Sequence, residues 1–148
     1  MLSHSLIHPQ ILYTLGQSGH GSQILIADGN YPFKTTKGPN SEIVNLNLSP
    51  GIDNAPQVLP AILTATPIEA ASIMAPEKHG PYALNEPPAI WSEFERILKA
   101  NGFVQPITEM ERMEFYNASA SPNVALIIAT GEQRIYANIL LTIGVIQA

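Results

Sequence analysis

The stretch GHGSQILIAD, residues 19–28, decides the predicted fold of this sequence. Its apolar run at residues 24–27 predicts a buried strand, which ends at Asp28. The segment before it begins at Pro9 and has apolar residues at helical spacing, so an amphipathic helix is expected there. Gly19 is expected just beyond the end of that helix, because glycine takes the left-handed conformation without a steric penalty.

His20 and Asp28 flank the predicted strand and form the first candidate pair for chemistry. We expect both side chains to face the same edge of a sheet, which is where open α/β sheets bind ligands. A carboxylate that fixes the tautomer of an imidazole there would support proton transfer near neutral pH. The alternative is a loop histidine and a turn-forming aspartate before Gly29 and Asn30.

The composition favours one domain over residues 1–148 with a surface that is poor in charge. Charged residues make up 13% of the sequence, whereas globular proteins average roughly 25%. We infer that much of the surface is buried in a homo-oligomer. The formal net charge of -5 argues against nucleic acid as a partner, because phosphates attract clustered Lys and Arg.

Other kinds of site and location are disfavoured by what the sequence lacks. It contains no cysteine, so disulfides and thiolate zinc sites are excluded. His4 and His8 have helical spacing, but Pro9 interrupts a helix there and no third ligand is near, so no metal site is expected. No secretory signal and no apolar stretch of about 18 residues is present. A cytoplasmic location without a membrane partner is therefore expected.

Helical patterns alternate with short apolar runs along the chain. This order predicts an α/β fold with a mainly parallel or mixed sheet flanked by helices. Beyond the first helix and strand, helices are predicted around residues 58–63, after Pro88 and at 111–118, and strands at 42–48, 70–75, 104–110, 124–129 and 139–145. The longest irregular segment is residues 76–88, with four prolines and one glycine.

Arg112 lies in the segment ERMEFY, residues 111–116, directly after a predicted strand. Its guanidinium offers a planar fork of hydrogen-bond donors that suits sugar hydroxyls or an anion. The alternative is a surface salt bridge to Glu111 or Glu114, which would contribute little to stability.

Tyr136 and Asn138 form the third candidate group. They are two residues apart, so in an extended chain their side chains point to the same face. A phenol and a carboxamide presented together suit a polyhydroxylated ligand. The alternative is an edge strand whose polar side faces solvent.

Together, these segments resemble the D-ribose pyranase / L-fucose mutarotase family over nearly the whole chain. The resemblance rests on GHG at residues 19–21, on Asp28 followed by Asn30-Tyr31-Pro32, on ERMEFY, and on ATGE…YANILL from Ala129 to Leu141. ERMEFY resembles the fucose branch, in which an arginine lies at this place, whereas the ribose branch has a histidine.

Two departures from the fucose branch concern the choice of sugar. Ser22 lies where the fucose type usually has an aspartate after GHG. The turn at residues 28–32 is DGNYP, where the family has turns such as DAHFP or DLNFP.

The resemblance implies an isomerase that interconverts the anomers of a reducing monosaccharide, L-fucose or a related aldose, without a cofactor or metal. It implies ring-shaped homo-oligomers, commonly decamers of stacked pentamers, with the active site between neighbouring subunits. His20 is then the expected acid/base residue, and Asp28 orients or polarises it. Tyr136 exchanges the second proton or holds the ring oxygen, while Arg112 and Asn138 bind hydroxyls.

Two other functions remain open at this point. A non-catalytic sugar-binding or sugar-transport accessory protein would use the surface of Arg112, Tyr136 and Asn138 without needing His20. A purely structural ring protein would show no saturable sugar binding.

Overall fold

The computed structural model describes residues 2–147, which form four helices and six strands. In chain order these are α1 (Pro9–Gln17), β1 (Gln23–Ala27), β2 (Glu42–Asn45), α2 (Ala55–Leu63), β3 (Ile68–Met74), α3 (Ala89–Ala100), β4 (Thr108–Met110), α4 (Arg112–Ser119), β5 (Val124–Ala129) and β6 (Ile139–Ile143). The predicted α/β fold is confirmed, and each predicted helix and strand has a counterpart in this series.

All six strands belong to one sheet, in the order β2-β5-β1-β6-β3-β4. β5 is parallel to both β2 and β1, and β4 is parallel to β3. β6 is antiparallel to its two neighbours, β1 and β3. The five strands other than β6 therefore point the same way and end at one border of the sheet, which we call the carboxyl edge. β6 begins at this edge, so the residues before it lie close to the residues that follow β1.

Helices cover both faces of the sheet, which explains why β1 and β5 are continuous apolar runs. In β1, Ile24 and Ile26 belong to the core cluster that includes residues of α1, α2 and α3. Leu25 and Ala27 belong to the opposite cluster, together with Phe115 of α4. Phe115 is fully buried, and burying such a side chain contributes about 1.5–3 kcal/mol. Burial on both faces thus fixes where β1 ends and where Asp28 lies.

Two details of the predicted elements are wrong. The residue that follows α1, Ser18, is extended, with φ -92 and ψ 152. The left-handed residue in this turn is Gly21, with φ 80, rather than Gly19. β4 covers only Thr108–Met110 and not the predicted 104–110, since Pro106 has no N–H to donate to a strand ladder.

Gly131, in the loop after β5, is expected to be intolerant of any side chain. A Cβ at this position would overlap the carbonyl oxygen of Ile52 and lie 2.6 Å from that of Ser49. Gly131→Ala therefore has to move the loop before α2, and we expect it to lower the free energy of unfolding by about 1–3 kcal/mol. Urea unfolding followed by circular dichroism measures the change.

Gly16→Ala is the matched control for this substitution. Gly16 lies in α1, and no atom lies within 4 Å of a Cβ built there. Alanine in place of a helical glycine is expected to leave stability unchanged or to raise it by up to about 1 kcal/mol. Equal destabilisation by the two substitutions would contradict the close packing of the loop at Gly131.

Candidate active site

A cavity of about 380 Å³ opens at the carboxyl edge of the sheet. Its walls come from the loop after β1, the end of β3, the start of α4, the segment before β6 and the loop between β3 and α3. The lining residues are Asp28, Asn30, Tyr31, Met74, Tyr82, Arg112, Tyr116, Ile135, Tyr136 and Asn138. Four of the five predicted site residues are therefore brought together from distant parts of the chain.

Asp28 is the most constrained group of this cavity, with 2% of its surface exposed. Its Oδ1 accepts a hydrogen bond from the Asn30 N–H at 2.9 Å. Its Oδ2 accepts from the Ala137 N–H at 3.2 Å and from Asn138 Nδ2 at 2.9 Å. Burial raises the pKa of the Asp28 carboxyl, and these hydrogen bonds oppose that shift. All three partners are N–H donors, which match an ionised carboxylate.

Asn138 forms a reciprocal pair with Asp28. Its Oδ1 accepts from the Asp28 main-chain N–H at 2.9 Å, while its Nδ2 donates to the Asp28 carboxylate. A carboxamide has two N–H donors and two acceptor lone pairs, so one of each remains for a ligand. The amide therefore holds Asp28 in place, and its predicted contact with a sugar hydroxyl remains a prediction.

Tyr136 lines the cavity, but not in the conformation that was predicted. Its backbone is left-handed, with φ 58, so Tyr136 and Asn138 do not share a face of an extended strand. The phenol donates a hydrogen bond to the Tyr82 carbonyl at 2.7 Å. The Tyr136 carbonyl in turn accepts from Trp91 Nε1 at 3.2 Å. These two contacts hold an unusual backbone conformation at the mouth of the site.

Arg112 is the first residue of α4 and extends into the cavity. Its Nη1 donates to Glu77 Oε1 at 2.6 Å, and its guanidinium lies 5.2 Å from the Tyr82 ring centroid. A salt bridge to Glu111, one predicted alternative, is not formed. The Glu111 carboxylate instead accepts from the Met113 N–H at 2.9 Å and caps α4. Glu77 takes one of the five N–H donors of the guanidinium, which also lies against Tyr116, with its carbon 5.8 Å from that ring centroid.

His20 lies outside this cavity, and the prediction that it shares an edge with Asp28 is wrong. His20 precedes β1 and Asp28 follows it, so the strand separates them; its five residues alone span about 16 Å at ~3.3 Å per residue. The next residue, Gly21, donates to the carbonyl of Ile143, where β6 ends. His20 Nε2 lies 3.1 Å from the Glu69 carboxylate, and the two side chains are 60% and 44% exposed.

The sequence reasoning missed six residues that line the cavity and two charge partners of predicted site residues. The missed lining residues are Asn30, Tyr31, Met74, Tyr82, Tyr116 and Ile135, and the charge partners are Glu77 of Arg112 and Glu69 of His20. Glu77 and Tyr82 come from the irregular loop at residues 76–88, where no motif distinguishes them. Glu69 lies in β3, where nothing in the sequence distinguishes it. The pairing of β3 with β6 brings it to His20. The sequence marked residues 76–88 only as a long irregular segment before α3, and this gave no indication of which of its residues contact Arg112.

A wider depression of about 510 Å³ lies beside the cavity and shares Asn30 with it. Its ionisable lining residue is Glu132, which is almost fully buried. Burial acts to raise the pKa of Glu132, but its hydrogen bonds to Arg134 lower the pKa overall. Because this carboxylate is already paired with Arg134 through both oxygens, the smaller cavity is the better candidate for chemistry.

Residues 2–147 offer neither a metal site nor a membrane-spanning helix. This part of the chain has no group of three His, Asp or Glu side chains arranged to hold a metal ion. His8, one of the two histidines considered for that role, accepts at Nδ1 from the Ile11 N–H at 3.4 Å and caps α1. None of the helices described here combines the length and apolar character needed to cross a membrane.

A mixed α/β sheet with an open cavity at its carboxyl edge, lined by polar and aromatic side chains, defines a protein that binds a small polar ligand. A profile of the RbsD / FucU transport protein family matches residues 1–146, and the chain belongs to this family. It is 34% identical over 150 residues to human fucose mutarotase, with 96% of this chain and 91% of the relative covered.

Two further relatives extend the comparison. The D-ribose pyranase of Variovorax paradoxus (strain S110) is 30% identical over 141 residues, covering 95% of this chain and 96% of the relative. The crystal structure of the fucose mutarotase from Streptococcus pneumoniae in complex with L-fucose is similar with a TM-score of 0.80 and 30% identity. That comparison covers 99% of this chain and 100% of the other.

The raised pKa of Asp28 predicts a measurable dependence of stability on pH. The folded protein holds this proton more tightly than the unfolded chain, whose carboxyl has the ordinary value of 3.8. The contribution of Asp28 to stability is therefore greatest below that value and declines as pH rises through the folded pKa. Urea unfolding between about pH 3 and about pH 7 measures the trend, and carbon NMR of the carboxyl group measures the pKa itself.

Two substitutions distinguish the contribution of Asp28 to the pH dependence of stability from that of the other carboxylates. Asp28→Asn should remove its share of the pH dependence, whereas Asp53→Asn, at an exposed position, should retain it. A carboxyl resonance of Asp28 that titrates at or below 3.8 would show that burial does not dominate at this site.

Proposed function

We propose that this protein is a sugar mutarotase, an isomerase that interconverts the anomers of L-fucose or of a closely related neutral aldose. The observation that carries this proposal is the cavity in which a buried carboxylate, a phenol, a guanidinium and a carboxamide converge. The relatives named above support the same reaction, and the arginine at position 112 supports a fucose-like sugar over ribose.

The reaction requires two proton transfers and no change of oxidation state. A base removes the proton of the anomeric hydroxyl while an acid protonates the ring oxygen; the bond between the anomeric carbon and the ring oxygen breaks, and an aldehyde forms. Rotation of the aldehyde and reversal of these steps give the other anomer. Each well-positioned acid or base contributes typically about 10²–10⁴-fold to the rate.

In the proposed arrangement, Arg112 and Asn138 bind hydroxyls and Asp28 orients the reacting end of the sugar. Tyr136, whose phenol donates a hydrogen bond to the Tyr82 carbonyl, exchanges the second proton or holds the ring oxygen once its O–H turns from that carbonyl to the sugar. His20 supplies the acid/base group. No metal or redox cofactor enters these steps.

His20 has to come from a second copy of the chain, because its own Asp28 lies at the other end of β1. His20 is exposed, and the residues that follow β6 beside it, Val145 and Ile146, expose 58% and 81% of their surface. An exposed imidazole beside exposed apolar side chains suits an interface between subunits. We propose a ring-shaped oligomer, a decamer of stacked pentamers, in which His20 reaches the cavity of a neighbour. Its proposed location is the cytoplasm.

Replacing His20 tests the acid/base assignment. His20→Ala should slow catalysed anomer exchange of L-fucose by about 10²–10⁴-fold, because one positioned proton-transfer group is lost. Saturation-transfer NMR on the equilibrated sugar measures the exchange rate, and circular dichroism confirms folding. His79→Ala, at another exposed histidine, should keep the rate of the unaltered protein; an unchanged rate in His20→Ala would remove His20 from the mechanism.

Mixing two inactive variants tests whether the site is shared between subunits. Co-expressed His20→Ala and Asp28→Asn chains form some interfaces in which both contributing residues are intact, about a quarter of them for random assembly at equal amounts. We expect the mixture to regain about that fraction of the exchange rate, while each variant alone stays inactive. Mixed assemblies of confirmed size that remain inactive would contradict a shared site.

A non-catalytic sugar-binding or transport-accessory role is the second candidate, favoured by the description of the family as transport proteins. It uses the same cavity and does not need His20. L-fucose that binds while anomer exchange stays at the rate of the buffer would establish this alternative in place of the mutarotase.

A further inference from the structure

Glu77 is the charge partner of Arg112 and belongs to no motif. It lies in residues 76–88, which we call the proline-rich loop. Its Oε1 lies 2.6 Å from Arg112 Nη1, and the two side chains are 32% and 30% exposed. Tyr82 of the same loop lies with its ring 5.2 Å from the guanidinium carbon. The proline-rich loop therefore supplies the countercharge and one of two aromatic rings over the arginine, and Tyr116 of α4 supplies the other.

The charges around the cavity are unequal in number. Among its lining residues, Asp28 is the acidic one and Arg112 is the basic one, and Glu77 adds a second carboxylate against the guanidinium. Two carboxylates against one guanidinium make the site net negative. An uncharged sugar only needs the remaining guanidinium N–H groups. An anion would have to share the guanidinium with the Glu77 carboxylate and would be repelled by both Glu77 and Asp28.

We propose that Glu77 is a specificity-determining residue that closes the arginine site to anionic sugars, such as uronic acids and sugar phosphates, and leaves it open to uncharged ones. Discrimination between two ligands often rests on a group that disfavours the wrong one. Here the Glu77 carboxylate already balances the charge of Arg112, so a ligand carboxylate or phosphate meets no unpaired positive charge. The inference rests on the proposed function, since it concerns the choice of sugar at the same site.

Glu77→Gln tests the proposal, because it keeps the size of the side chain and removes its charge. The probes are L-galacturonate, which is L-fucose with its methyl group oxidised to a carboxylate, and uncharged L-galactose. Both compete with L-fucose in the exchange assay. We expect Glu77→Gln to raise the affinity for L-galacturonate about tenfold, equivalent to about 1.4 kcal/mol, while the affinity for L-galactose changes by less than about threefold. Glu77→Asp retains the charge and should still reject L-galacturonate.

Glu93→Gln is the matched control. Glu93 Oε1 lies 2.6 Å from Arg134 Nη1, so the ion pair has the same length, and neither residue lines the cavity. This variant should show the sugar preference of the unaltered protein. An unchanged ratio of the two affinities in Glu77→Gln, or an equal gain in Glu93→Gln, would overturn the proposal. Glu77→Ala serves as the second charge-removing variant if thermal unfolding shows that Glu77→Gln is not folded.

Binding can be measured without turnover through Trp91, the single tryptophan of the sequence. Its Nε1 donates to the Tyr136 carbonyl at 3.2 Å, so its fluorescence reports on the cavity. Titration with each sugar separates the two proposals. A protein that lacks anomer exchange but shows the Glu77-dependent preference by fluorescence overturns the mutarotase and supports the role of Glu77. An active enzyme whose preference is the same in Glu77→Gln overturns the role of Glu77 alone.

Discussion

The buried carboxylate of Asp28 is the constraint on which the rest of the site depends. Burying a charge without hydrogen-bond partners costs several kcal/mol. This is a large part of the free energy of unfolding of a domain, about 5–15 kcal/mol. Its partners come from Asn30, directly after β1, and from residues 137–138, directly before β6. They meet only because β6 is antiparallel to β1 and begins where β1 ends. The antiparallel strand in an otherwise parallel sheet is therefore what completes the site.

The segment before β6 also contains the most unusual backbone of the site. A left-handed tyrosine costs on the order of 1–3 kcal/mol and persists only where surrounding contacts determine it. At Tyr136 these contacts are the bond from Trp91 on α3 and the bond to Tyr82 of the proline-rich loop. The next residue, Ala137, then presents its N–H to Asp28. The strained backbone at Tyr136 thus directly precedes the N–H group that binds the Asp28 carboxylate.

The fold was largely predictable from the sequence, because β1 and β5 are buried on both faces and α3 has a clear apolar stripe. The convergence of Asp28, Arg112 and Asn138 was found through local motifs and the family resemblance, since apolar periodicity does not give strand order. The prediction that His20 lies beside Asp28 was wrong for a geometric reason. His20 precedes β1 and Asp28 follows it, so the two residues lie at opposite ends of the strand. Glu77 was missed because a loop without periodicity gives no indication of its contacts.

The separation of His20 from the cavity has a functional consequence under the proposed mechanism. A single chain holds the proposed sugar-binding groups at the carboxyl edge and the exposed imidazole, paired with Glu69, at the opposite edge. Neither half is complete without the other, so an isolated subunit would bind the sugar without an acid/base group. Under the proposed mechanism catalysis then depends on assembly, and the low proportion of charged residues, 13% of the sequence, favours a chain that buries part of its surface against copies of itself.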